Sequence, residues 1–146
     1  MRVAPAALLL LAACSQSVEE GEPTPEAVAA AAEGPRAVVD AYYAALNSGE
    51  YDTAWQLWGK DPEADSEEFE TFVEGFEDTE LAIAEVGEAG AERMRDGWVY
   101  AEVPVRVEDL KSDGTGSGYS GTYTVRRSVV DEESWHIYEG DLTTRS

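Results

Sequence analysis

The sequence predicts an α+β fold: three N-terminal helices packed on a curved, mainly antiparallel sheet of four to five strands. Between Arg36 and Phe76 the apolar residues recur at helical spacing, and from Glu80 onward they alternate with period two. The change of period happens once. Helices and strands are therefore segregated along the chain, which places the helices together on one face of an antiparallel sheet.

The helical half opens with Val39, Tyr42, Tyr43 and Leu46 at i, i+3, i+4 and i+7, one apolar stripe. Asn47, Ser48 and Gly49 supply a helix stop, and Tyr51, Ala54, Trp55 and Trp58 repeat the spacing in a second helix. Two tyrosines and two tryptophans on facing stripes bury a large apolar area for so short a motif. After the Lys60–Ala64 connection with its Pro62, Asp65 and Glu68 have the spacing of a capping box. Phe69, Phe72, Val73 and Phe76 follow on one side of a third helix and are expected in the core.

In the sheet half, Leu81–Val86 reads as a strand, and a short segment, Glu92–Arg95, leads into the hairpin signal Asp96-Gly97. In the long strand Trp98–Leu110, Val99, Ala101, Val103, Val105 and Val107 point one way. Trp98, Tyr100, Glu102, Pro104, Arg106 and Glu108 point the other. Pro104 cannot donate to a ladder, so an edge or a bulge is expected there. Lys111–Gly118 reads as a flexible hairpin connection; a phosphate loop would precede a helix, and here a strand follows. Tyr119–Val130 and Trp135–Leu142 complete the sheet, joined by the acidic turn Asp131–Ser134.

The chain has 146 residues, 31 acidic against 10 basic, and a formal net charge of −21. That balance argues against nucleic acid and against charge-driven binding to anionic lipid, both of which need basic patches. Residues 1–13, MRVAPAALLLLAA, have the plan of an export signal and are too short to span a bilayer. Leu11, Ala12, Ala13 and Cys14 resemble a bacterial lipobox, which implies cleavage after Ala13 and lipidation of Cys14. A lone cysteine forms no internal disulfide, and lipidation accounts for it. Several acyl chains on Cys14 would anchor the protein to a membrane without spanning it. Ser15 behind the cysteine, by resemblance to enteric lipoproteins, implies the outer membrane, facing the periplasm, in a Gram-negative cell. Residues 14–34 are rich in Glu, Ala and Pro without aromatics, a disordered tether. Residues 35–146 leave room for one domain of roughly 110 residues.

Three segments, Val39–Trp55, Gly121–Val125 and Trp135-His136-Ile137, resemble the nuclear transport factor two-like superfamily, which includes ketosteroid-isomerase-like and SnoaL-like proteins. The likeness covers roughly Pro35 to Leu142, and its nearest look is to small bacterial lipoproteins without assigned activity. It implies a cone-shaped, cystatin-like fold with a pocket between helices and sheet, lined here by Tyr42, Tyr43, Trp55, Trp58, Phe72, Phe76 and Tyr123. It also implies that the open sheet face is a surface for homodimers. The superfamily holds enzymes, ligand binders and non-catalytic modules, so the fold does not choose the function.

Acid–base chemistry would fall to Asp40 or to His136, the sole histidine. A buried carboxylate at Asp40 would have its pKa raised toward that of a general base. Yet Asp40 lies off the apolar stripe, and alternation sends His136 to the face opposite Trp135 and Ile137, so neither is assigned a catalytic role. No cofactor and no metal are expected: there is no second histidine, no cysteine pair and no calcium-loop pattern. The acidic clusters at Asp65–Glu68 and Asp131–Glu133 are expected to be solvated. Trp98, Tyr100 and Arg106 share one sheet face, and this aromatic-plus-arginine composition is enriched at interface hot spots. The expected function is a non-catalytic interaction module with an envelope protein as partner. A binder of a small apolar ligand and an acid–base enzyme are the alternatives.

Overall fold

The computed structural model describes residues 33–130 and 134–145. The expected signal segment, the cleavage at Ala13, the lipidation of Cys14 and all but the last two residues of the tether lie outside the described residues. So do Asp131, Glu132 and Glu133 of the acidic turn.

Helix α1 runs Pro35–Asn47, with proline at its start, where a missing N–H costs nothing. The predicted stripe is buried, and Val38 and Ala45 join it. Asn47 is the last helical residue and does more than end the helix. Its side-chain amide donates to the Ala82 carbonyl at 2.9 Å and accepts from the Ala82 N–H at 2.8 Å, so it pairs like a strand residue. Gly49, at φ 72°, makes the left-handed turn into α2, Tyr51–Gln56. Helix α2 is shorter than its spacing predicts. Trp58 lies half-buried on the turn beyond it, and Leu57 is the residue that turn buries.

Helix α3 spans Ser66–Glu74. The predicted capping box does not form: Asp65 makes no cap bond and accepts instead from the Asp61 N–H at 3.3 Å, while Glu68 takes Lys60 at 2.9 Å. The expectation that its phenylalanines are core is also corrected. None of the nine residues of α3 is fully buried, because the helix lies over α1 and α2 rather than against the sheet, and its rings meet Trp55, Tyr42 and Tyr51.

Five antiparallel strands follow: β1 Thr79–Val86, β2 Arg93–Arg95, β3 Trp98–Lys111, β4 Gly116–Ser128 and β5 His136–Arg145. Their order is β1-β3-β4-β5, with β2 pairing β3 beyond the end of β1. The whole is an α+β fold with helices on one face of a curved open sheet. Strand β3 is interior, contrary to the edge expected at Pro104. The proline stands opposite the gap between β1 and β2, where the Gly87 N–H donates to its carbonyl at 2.8 Å. Its missing N–H thus falls where β3 changes neighbours, and the ladder loses little. The glycine-rich connection shrinks to a turn at Ser112–Thr115, held by Asp113, which accepts from the Thr115 N–H at 2.9 Å.

Alternation along β3 is as the sequence predicts: the five residues from Val99 to Val107 are buried. Tyr123, Val125 and Ile137 continue that inner face, and Trp135, just before β5, closes it. Between Ile137 and Glu139 strand β5 carries a bulge, since Val125 opposes Ile137 while Thr124 opposes Glu139. The extra residue, Tyr138, lies with His136 against rings of the outer face.

Candidate functional site

Two regions contain the predicted site residues, one on each side of the sheet. Inside, all seven expected pocket-lining residues come together, but as rings packed on one another. Tyr42 lies 5.1 Å from Tyr43, 5.9 Å from Trp58 and 6.1 Å from Tyr123, centroid to centroid. Phe72 lies 5.0 Å from Trp55 and 5.1 Å from Phe76, and Tyr51 and Phe69 extend the layer. Edge-to-face contacts of this kind stabilise beyond the area they bury.

The Tyr43 and Tyr123 hydroxyls share a hydrogen bond of 2.7 Å. Burial pushes the Tyr43 phenol up to about 12, against the pull of that bond, and raises Tyr42 and Tyr123 further. These phenols are neutral at physiological pH, and within the Tyr43–Tyr123 pair one hydroxyl donates to the other. The indole N–H of Trp55 is buried without a hydrogen-bond partner, and that of Trp58 is buried facing the Tyr42 hydroxyl. Asp40 is on the other side of α1, exposed, 3.9 Å from Arg36.

The outer face is built from the alternate residues of β3, β4 and β5. Cross-strand register places Tyr100, Arg126 and His136 side by side. The Arg126 guanidinium is held between two rings, 3.9 Å from the centroid of Trp98 and 4.0 Å from that of Tyr138. Its Nε–H donates to His136 Nε2 at 3.2 Å. His136 also meets Trp98 edge-to-face at 5.7 Å, and Tyr138 meets Tyr100 at 5.9 Å. Behind the imidazole stands Gly59, at φ 69°, so close that a Cβ there would lie 2.9 Å from His136 Cδ2. Burial, and then the Arg126 charge, hold the histidine below its ordinary pKa, and the neutral ring accepts the arginine's proton donor.

Beside the stack lies a groove of about 480 Å³, lined by Arg93, Met94, Arg95, Tyr100, Tyr138 and Thr124, with Glu102 and Glu139 at its wall. Arg93 pairs with Glu102 at 3.5 Å. Arg106 is on the same face as Trp98 and Tyr100 but further along β3, where it lines a second hollow of about 270 Å³ with Ile83, Glu85, Glu108 and Arg145. The arginine that stacks on Trp98 is Arg126. The signal for Arg126 was the alternation around Tyr123 and Val125, which sends residue 126 outward; the register that sets it beside Trp98 depends on strand pairing.

Charge is distributed unevenly. Arg93, Arg95, Arg106, Arg126 and Arg145, half of the chain's ten basic residues, share the outer face with Glu85, Glu102, Glu108, Glu139 and Asp141. A chain of net charge −21 thus has one sheet face that is close to neutral. Ile83, 60% exposed, and Tyr138, 48% exposed, add apolar area to it. Among the described residues, no group of three His, Cys, Asp or Glu side chains stands together as for a metal ion.

No protein-family model and no curated protein matches the chain. In structure it is similar to the Kfla4162 protein from Kribbella flavida, whose crystal structure aligns with a TM-score of 0.53 at 12% sequence identity. The alignment covers 75% of this chain and 86% of that one. The likeness is one of fold.

Proposed function

We propose that this protein is a lipid-anchored lipoprotein of the bacterial envelope, and that its domain is a non-catalytic interaction module docking a partner protein on the outer sheet face. The domain is read as nuclear transport factor two-like, a reading supported by three helices followed by an antiparallel sheet. The observation that supports the docking function is the Trp98–Arg126–Tyr138 stack, in which Trp98 and Arg126 are half-buried and Tyr138 is exposed, on a near-neutral face of an otherwise strongly acidic chain. Aromatic and arginine side chains with their rotamers already fixed lose little entropy on binding, and a neutral face escapes the repulsion of the rest of the surface. Anchoring at Cys14, on the outer membrane facing the periplasm in a Gram-negative cell, would present that face at the end of the tether. A second copy of the chain is one partner this face would accept, since both signs of charge are present on it.

A second reading, the binding of a small apolar ligand in the interior, is favoured by the unpartnered indole donor of Trp55 beneath α3, none of whose residues is fully buried. Native mass spectrometry of the full chain, gently extracted from its membrane, separates the two. The docking reading predicts an acyl-bearing protein, with or without a polypeptide, and no small molecule besides its anchor. An organic molecule retained by the domain, and lost in Trp58→Ala, would overturn it in favour of the second. Loss of the acyl mass in Cys14→Ala tests the anchor separately.

A further inference from the structure

We propose that the Trp98–Arg126–Tyr138 stack is a docking site for a glutamate or aspartate side chain on an extended segment of a partner protein. The inference rests on the outer sheet face being the docking surface, and names what is docked there. Arg126 has its two flat faces covered by rings and its Nε bound to His136. No carboxylate among the described residues lies within ion-pair distance of it. Its terminal nitrogens, two N–H groups each, have no hydrogen-bond acceptor among the described residues. A guanidinium so restrained presents a planar fork in a fixed direction, the geometry that takes both oxygens of a carboxylate at once.

The neighbouring groove says what carries the carboxylate. The groove crosses the outer face from Arg93 and Arg95 of β2, past Tyr100 of β3 and Thr124 of β4, to Tyr138 of β5, where it meets the stack; three strand spacings, about 14 Å, take about four residues of extended chain laid across the sheet. Glu102 and Glu139 lie along the same groove as Arg93 and Arg95. A polyanion such as nucleic acid would meet those two carboxylates and the field of the whole acidic chain. A peptide of mixed charge would place its acid on Arg126 and its amide and basic groups toward the glutamates.

The test titrates the full chain with the peptide acetyl-Lys-Val-Glu-Val-amide and with its Gln counterpart, following the Arg126 Nε–H and Trp98 indole N–H resonances. The expected result is a saturable shift of both signals with the Glu peptide. Binding of the Gln peptide should be weaker by about tenfold or more, the effect of losing a charge-assisted pair. Arg126→Lys, which keeps the charge and loses the fork, should weaken the Glu peptide by a similar factor. Equal binding of the two peptides, or no shift at Arg126 at millimolar peptide, overturns the proposal; the Glu–Gln comparison needs no variant and so stands even where Arg126→Lys fails to fold. A null result together with a partner cross-linked through Tyr138 would remove the carboxylate and leave the docking face, whereas loss of both would remove the face itself.

Discussion

The two faces of the sheet come from the same strands and differ in what their side chains are for. On the inner face Val99, Ala101, Val103, Val105 and Val107 meet helices and aromatic rings, and no charged side chain is buried among them; Arg127, opposite Val99, lies at the rim over Trp135. On the outer face the alternate residues of those strands include Trp98, Tyr100, Arg126, His136 and Tyr138, polar or aromatic groups fixed by one another and only half covered, with Tyr138 exposed. One face is organised by exclusion of water and the other by mutual stacking in its presence. Under the docking proposal, these half-buried aromatic and cationic groups, with Tyr138 exposed among them, are the part of the molecule left over for recognition.

The comparison breaks most visibly at neighbouring positions of β3. Val103→Asp puts an unpaired charge into the core and should cost about 4 kcal/mol or more, enough to unfold much of a marginal domain. Glu102→Val, one residue away on the other face, should change stability by no more than about 0.5 kcal/mol. Urea denaturation of the two variants reads this contrast directly; a similar cost for both would mean that the outer face is also core.

Asn47→Ala comes next. It removes both bonds to Ala82 and leaves the strand's peptide groups unpaired, for an expected loss of about 2 kcal/mol. A denaturation midpoint close to that of the parent would show that water replaces the amide. The tyrosine pair is a smaller effect. Tyr43→Phe and Tyr123→Phe should each cost about 1 kcal/mol by stranding the other hydroxyl, and the double variant should cost no more than either single one. Simple additivity in that cycle would contradict the 2.7 Å hydrogen bond.

How much of this was legible in the sequence follows from how local each determinant is. The helical stripe of Val39, Tyr42, Tyr43 and Leu46 and the alternation of β3 are set by periodicity, and both stand in the structure as read. Asn47 reads as a helix stop because its bond to Ala82 joins residues 35 apart in sequence. Pro104 reads as an edge because a gap between two other strands, β1 and β2, is what tolerates it. The helix-period stripe of Phe69, Phe72 and Phe76 predicts burial without saying against which layer, and α3 settles over the other helices with its rings half exposed. At the candidate site Trp98 and Tyr100 were visible, but Arg126 was not. The bulge at Tyr138 and the register across three strands bring it between its two rings, and neither is written in any one segment.

The smallest expected effect concerns His136, where the outer stack titrates. Its folded pKa is held below the ordinary value of 6.5, so the unfolded chain takes up the proton first. The stability tied to the neutral ring is therefore full above about pH 6.5 and is lost as pH falls through the folded value. Stability curves from pH 7.5 to 4.5 should be steeper for the parent than for His136→Gln, since the carboxylates titrate alike in both. Parallel curves would mean that protonation of the ring leaves Arg126 undisturbed.

The central claim, that the outer sheet face is the docking surface, is tested most directly by photo-cross-linking in the living cell. One protein carries benzoylphenylalanine in place of Tyr138 and a second carries it in place of Phe69 on the helical side. The account predicts a discrete adduct of one polypeptide, or of a second copy, from position 138, reduced by Trp98→Ser, and none of comparable yield from position 69. A discrete adduct from position 69 with none from 138 would contradict it and move the interaction to the helices.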